Sequence, residues 1–295
     1  MEILVNKPLE YKLSDDINVL KDNCKKWEKN SSSEMHLLVD VKPGCEPCPF
    51  CYSGGDKMAK MAMIGINPGA PVKNCQYIDE NTTWQELAEF CAPSKGILNA
   101  NNSVYHMLSK NAVESKFYKD LFLIHQALVG DRREVYDKFT DAVKAYGGRK
   151  EIEKSFIEQL AKYPVLNSDF IPYKSNKADC ISIQKMIDDI YYRNYLHGLI
   201  NLLLEFSSKD AYVVFYGHVY DVKKLLSKIA GDYFPENIWV GQMLGDKANS
   251  GEKENAYFAR WNDERVVVLI PSRAYYQFYR MGELINKIRE FSSRK

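Results

Sequence analysis

The sequence predicts an α/β fold of three layers, with a central, mostly parallel four-stranded sheet held between helices. Three observations carry this. Four short apolar runs rich in β-branched or aromatic residues, Lys60–Ile66, Val165–Phe170, Ala211–Tyr216 and Arg265–Ile270, each end in a breaker or a polar turn, as buried central strands do. Amphipathic helical periods lie between them, and strands alternating with helices build parallel sheets. A chain of 295 residues, 45% of them hydrophobic, can bury one large core without staples. With no internal repeat and no low-complexity linker, one domain spanning residues 1–295 is expected.

Taken in order, the first 58 residues read as an extension: Asp16–Lys29 is helical, Met35–Val41 is an outer strand and Pro43–Gly55 is a loop carrying three cysteines. The first core strand, Lys60–Ile66, stops at Asn67-Pro68-Gly69, because Pro68 removes a backbone donor and Gly69 lets the backbone approach a neighbour. From about residue 84 to 162 the pattern gives four or five helices in a row. One crossover needs fewer, so part of this stretch is expected to be a helical insertion near the sheet's carboxyl edge. After the second strand, Ile183–Phe206 sets apolar residues at 183, 186, 187, 190, 191, 195, 199, 202, 203 and 206, one helical stripe. After the third, Val222, Leu225, Leu226 and Ile229 repeat that period before Gly231, and after the fourth, Met281, Leu284, Ile285, Ile288 and Phe291 define a last helix.

Bulk properties narrow the setting. No apolar run approaches the roughly 18 residues that cross a bilayer, and the first residues lack a signal-peptide layout, so a cytoplasmic protein with no membrane partner is expected. Seven unevenly spread cysteines fit reduced thiols better than a disulfide framework. The net charge of +1 makes no global case for nucleic acid. Charge is local, however: from Arg273 to Lys295 six basic residues face two acidic ones, an excess of +4 that leaves −3 for the rest, and such a face can contact phosphates. A solvated helix face is the bland alternative.

The strand endings are what a core would not select. They are Asn67-Pro68-Gly69, Asn167 with Ser168 and Asp169 leading to Pro172-Tyr173-Lys174-Ser175, Gly217-His218, and Pro271-Ser272-Arg273. In a parallel sheet all four fall on one edge, where open α/β sheets place their ligands. Cys45, Cys48 and Cys51 form a second feature: C-x2-C-x2-C spacing could wrap a structural zinc ion or iron–sulfur cluster, with Cys24, His36 or Cys75 as the fourth ligand.

The order of these endings resembles the uracil-DNA glycosylase superfamily, in particular the branch whose first motif reads Gly-Ile-Asn-Pro-Gly, as in the mismatch-specific uracil/thymine glycosylases. The likeness covers Lys60 to Phe278 and implies a uracil-DNA glycosylase-like sheet. It implies that Asn67 holds the attacking water, that Asn167 reads the base edge, and that the Pro271-Ser272-Arg273 loop enters the minor groove. Tyr77 matches the stacking aromatic by its spacing from Asn67, and Arg273, Tyr275 and Tyr276 could fill the space a rotated nucleotide vacates. An Asn carboxamide donates and accepts at once, which suits a pyrimidine edge. The partner implied is DNA, the protein acting as a monomer with no cofactor needed for the chemistry.

Two departures shape the expected substrate. Many members place His or Asn at the head of the second motif to bond the leaving base; here the residue is Ile270, and the loss of such a donor costs about 3–4 kcal/mol of transition-state stabilisation. His218 is the candidate substitute, against a structural role at the strand end. The second departure is the longer Asn67–Asn167 interval, which leaves room for a larger base such as a hydroxymethylated or glucosylated cytosine of phage DNA. A non-catalytic reader of modified bases and a hydrolase of free nucleosides or nucleotides are the alternatives. No Lys is placed by a motif to form a Schiff base, so the glycosylase expected is monofunctional.

Overall fold

A computed structural model describes residues 38–40, 50–52, 58–66, 75–77, 116–131, 133–170, 186–188, 190–246, 253–262, 264–272 and 281–294. Its elements in chain order are β1 (Leu38–Asp40), β2 (Phe50–Tyr52), β3 (Ala59–Gly65), β4 (Cys75–Tyr77), α1 (Lys116–Leu128), α2 (Phe139–Tyr146), α3 (Arg149–Lys162) and β5 (Val165–Asp169). There follow α4 (Ile190–Phe206), β6 (Ser207–Tyr216), α5 (Val219–Ile229), β7 (Val240–Asp246), β8 (Lys253–Trp261), β9 (Arg265–Ile270) and α6 (Met281–Ser293).

The main sheet runs β2-β5-β3-β6-β9-β8-β7. Its centre, β5-β3-β6-β9, is parallel throughout and is made of the four strands expected from the sequence. The sheet is nevertheless larger and mixed. β2 adds antiparallel to β5 at one edge, and the hairpin β7–β8 adds antiparallel to β9 at the other. β2 lies within Pro43–Gly55, which the sequence suggested was all loop. β8 escapes a search for β-branched runs because it has none: Ala256 and Phe258 fill one face, and Ala259 and Trp261 the other. β7 carries Gly241 and Gly245, which weaken strand propensity. The expected outer strand at Met35–Val41 is present as β1, but it pairs with β4 in a separate two-stranded sheet. The helix expected at Asp16–Lys29 lies outside the described residues.

Period-two alternation sends successive residues of each central strand to opposite faces. Ala62, Ile64, Leu166, Val213, Phe215, Val267 and Leu269 pack under α4 and α5; Met61, Met63, Val165, Val214, Tyr216, Val268 and Ile270 pack under α1, α2, α3 and α6. The chain crosses from β3 to β5 on one face and back from β5 to β6 on the other, as a constant crossover hand requires. The described part of the 84–162 stretch, α1–α3, thus forms much of one helical layer. α1 begins at the carboxyl edge of the sheet, where Phe117 lies beside Gly65.

Helix periods explain the layers. Val222, Leu225, Leu226 and Ile229 of α5 are all buried, as are Met281, Leu284, Ile285 and Ile288 of α6, each contributing about 1.5–3 kcal/mol of transfer free energy. In α4 the described buried residues are Tyr192, Leu196, Leu199, Ile200 and Leu203, of which Leu199 and Leu203 belong to the expected stripe. α4 passes into β6 without a linker, and the buried Arg265 closes that junction. Its Nη2 donates to the carbonyls of Leu204 and Ser207 at 3.0 and 2.7 Å, and its Nε to Ser207 Oγ at 3.0 Å. Carbonyls at a helix end lack helical partners, and a cation there satisfies them. No helix among the described residues is long and apolar enough to cross a membrane.

Candidate functional site

The strand order places β3 and β6 side by side although β5 intervenes in sequence, and on either side of that pair the chain moves in opposite directions. Such a switch point opens a crevice at the carboxyl ends of the two strands. The endings found in the sequence therefore meet here. β3 ends in Gly65-Ile66, β6 in Gly217-His218, and β9, beside β6, in Pro271-Ser272.

Gly217 is the point of contact. Its φ of 102° is one that L side chains rarely adopt, and its N–H donates to Ile270 O at 2.7 Å, carrying the β6–β9 ladder one step beyond the strands. A Cβ on Gly217 would lie 3.0 Å from Ile66 Cγ1 and 3.8 Å from Ser272 Cβ. The first motif's strand and the Pro-Ser loop thus close on a glycine that leaves them room. His218 follows in the left-handed region, φ 41° and ψ 48°, at the N-cap of α5. A non-glycine residue held there carries strain on the order of 1–2 kcal/mol, of the kind that collects at functional sites. Its Nδ1 lies 3.4 Å from Asp221 Oδ2, three residues on in the first turn of α5.

On the face covered by α1, Asn167 is 7% exposed. Its Nδ2 donates to Met63 O at 2.8 Å and its Oδ1 accepts from Tyr118 Oη at 3.2 Å, which fixes the orientation of the carboxamide. One N–H and one lone pair remain beyond those bonds. Phe117 stands edge-on to both Tyr118 and Tyr216, with ring centres 5.1 and 5.5 Å away, and the buried Tyr216 hydroxyl donates to the buried Asp120 carboxylate. Asp169, partly exposed, is the register partner of Gly65.

Sequence reasoning passed over Phe117, Tyr118, Asp120 and Tyr216. Asp120 held the only hint, a carboxylate on the same helical stripe as Ile124 and Leu128, four and eight residues on.

Of the residues singled out from the sequence, Asn167, His218 and Ser272 sit at the carboxyl edge of the sheet. Ile270, at the position where a leaving-group donor was sought, is completely buried and apolar. Tyr77 belongs to β4, paired with Leu38. Cys51 belongs to β2, where the register sets it opposite Asn167. Asn67, Arg273, Tyr275, Tyr276, Cys45 and Cys48 lie outside the described residues. Among the described residues no three His, Cys, Asp or Glu side chains are grouped to hold a metal ion.

Two cations of the basic tail have intramolecular work. Arg289 Nη2 donates to Arg133 O at 2.8 Å and also to Ala127 O, and Lys287 Nζ donates to Met243 O at 3.0 Å. These three bonds tie α6 to its neighbours. Two other titratable groups belong to the scaffold. His125, fully buried beneath α3, donates from Nε2 to Tyr163 O at 2.8 Å, and burial lowers its pKa to about 4. Asp131, at the surface, is held at about 2 by hydrogen bonds from Lys162 and Tyr163. No protein-family model matches this chain, and no curated protein matches its sequence.

Proposed function

We propose that this protein is a monofunctional DNA glycosylase that rotates a uracil-like or modified pyrimidine out of the duplex and hydrolyses its N-glycosidic bond, leaving an abasic site. The observation that supports this best is the meeting of Ile66, Gly217 and Ser272 within van der Waals reach at the switch point. The strand that delivers Asn67 and the loop read as gripping the DNA backbone share that corner of the fold. A glycosidic bond inside a duplex is inaccessible to side chains, so an enzyme of this kind needs a pocket and a wedge on one edge.

In this reading Asn67 orients water and Asn167 pairs with the base, its carboxamide held by Met63 and Tyr118 before substrate arrives. Preorganisation of this kind favours rate over mere affinity. The burial of Ile270 removes the usual bond to the leaving base. That favours either a base that departs readily or His218 as the donor, and it keeps hydroxymethylated and glucosylated cytosines of phage DNA among the substrates. A structural zinc ion or iron–sulfur cluster at Cys45, Cys48 and Cys51 belongs to the same reading, and metal analysis of freshly purified protein tests it separately.

The experiment is direct. Duplexes carrying uracil, hypoxanthine, hydroxymethylcytosine or glucosylated hydroxymethylcytosine are incubated with the protein and treated with alkali, then the assay is repeated with Asn67→Ala. Alkali-dependent breaks that disappear in Asn67→Ala are the expected result. Selective binding without breaks would favour the reader that the apolar Ile270 makes credible. Release of base from free nucleosides but not from DNA would favour the nucleoside hydrolase, and none of these would end all three readings.

A further inference from the structure

We infer that Asp169 is a catalytic carboxylate, the group that takes the proton from the attacking water; the inference rests on the glycosylase reading above. Asp169 closes β5, and its register partner is Gly65, two residues before Asn67. Asn167 lies two residues earlier on the same strand and the same face. The carboxylate therefore stands between the strand end that carries the water-holding residue and the residue that reads the base.

Gly65 makes this placement possible. It is absent from the glycines with positive φ, so its backbone conformation is open to any residue. What a side chain there would displace is the carboxylate. A Cβ there would lie 2.8 Å from Asp169 Oδ1 and 3.5 Å from the ring of Phe117. Any larger residue at 65 would push the carboxylate away from the strand that leads to Asn67. Asp169 is partly exposed, so a proton taken up there can pass to solvent.

The chemistry calls for such a group. Asn67 can position a water but cannot accept a proton from it, and with Ile270 buried and apolar the base leaves without a donor at that position. Cleavage then runs through a sugar of oxocarbenium character. The C1′–N bond breaks with its electron pair going to the base, the water oxygen bonds to C1′, and Asp169 takes the water's proton. The departing base anion gains a proton from solvent, and Asp169 returns its own to solvent. The negative carboxylate also stabilises the positive sugar while that charge exists.

The test uses the duplex that the full-length protein cleaves fastest, under single-turnover conditions at several protein concentrations and pH values. In Asp169→Asn the maximal rate is expected to fall about 100- to 10,000-fold, the range of general-base contributions, with the half-saturating concentration unchanged within about threefold. The acidic limb of the pH–rate profile should vanish with it. In Asp169→Gly, added formate is expected to restore at least about tenfold, which a merely structural aspartate would not allow. A rate within about threefold of wild type, a loss carried by affinity instead of rate, or a folded Asp169→Gly that ignores formate each overturns the inference. Should Asp169→Asn fail to fold, the formate result decides. If the unaltered protein cleaves and Asp169→Asn cleaves equally well, only the role of Asp169 falls; if the unaltered protein cleaves nothing, the glycosylase reading falls and takes this inference with it.

Discussion

Replacing Gly217 by alanine separates two stresses that the structure superimposes at the switch point. The first is backbone strain: φ is 102°, and holding an L residue in such regions costs on the order of 1–3 kcal/mol. The second is contact, because the new methyl would meet Ile66 Cγ1 at 3.0 Å, and overpacking of this sort costs about 1–3 kcal/mol. The protein carries its own controls. Gly147 and Gly148, at the junction of α2 and α3, have φ of 79° and 134°, which bracket that of Gly217, and neither has an atom within 4 Å of its Cβ position. Gly147→Ala and Gly148→Ala thus report strain alone, and the entropy that alanine removes from the unfolded chain is common to all three. Urea unfolding should show Gly217→Ala weaker than the mean of the two controls by about 1–3 kcal/mol. A difference of that size lowers the melting temperature by a few degrees, at about 2–4 °C per kcal/mol for large domains. Equal costs within about 0.5 kcal/mol would refute the claim that Ile66 and Ser272 are packed against that glycine, since the gap must exceed ordinary departures from additivity.

Two further predictions concern pH. His125 has a folded pKa of about 4 against 6.5 when unfolded, because burial disfavours its charged form, so the unfolded chain binds the extra proton between those values. Stability should therefore fall as the pH drops from about 6.5 to 4, by up to about 3 kcal/mol from this group, and a His125→Gln variant should lose that slope in denaturant titrations at successive pH values. Asp131 acts in the same direction over a lower range: hydrogen bonds from Lys162 and Tyr163 hold its pKa at about 2 against 3.8, so its contribution is complete above 3.8 and lost as the pH falls through about 2. Asp131→Asn should melt below wild type near neutral pH, and the two curves should converge in strong acid.

Much of the fold was legible because burial on both faces writes itself as Val, Ile and Leu. The run Arg265–Ile270 is β9 to the residue, and Val165–Phe170 is β5 with one residue to spare. Legibility ended where packing replaced composition. β8 fills its two faces with aromatics and alanine, so a search for β-branched runs passes over it. The site follows the same rule. Asn167 stood out as a residue a core would not choose, yet the groups that orient it are Tyr118, 49 residues before it, and a carbonyl 104 residues before it. The closeness of Asp169 to Gly65 is a matter of register, which no single segment encodes.

The two neighbours of β3 reach it from far along the chain. Among the described residues, a polymer leaving the ribosome offers this apolar strand no ladder partner until about a hundred further residues have emerged, and its second ladder, marked by the Lys60–Asp210 pair, spans 150. Long loops must close before those ladders form, which slows folding and leaves a sticky segment exposed meanwhile. The corner built by Ile66, Gly217 and Ser272 comes later still, since Ser272 must be present. A chain interrupted before that point would hold its central strand without the corner, and a shortened version made for expression should aggregate more readily than the whole.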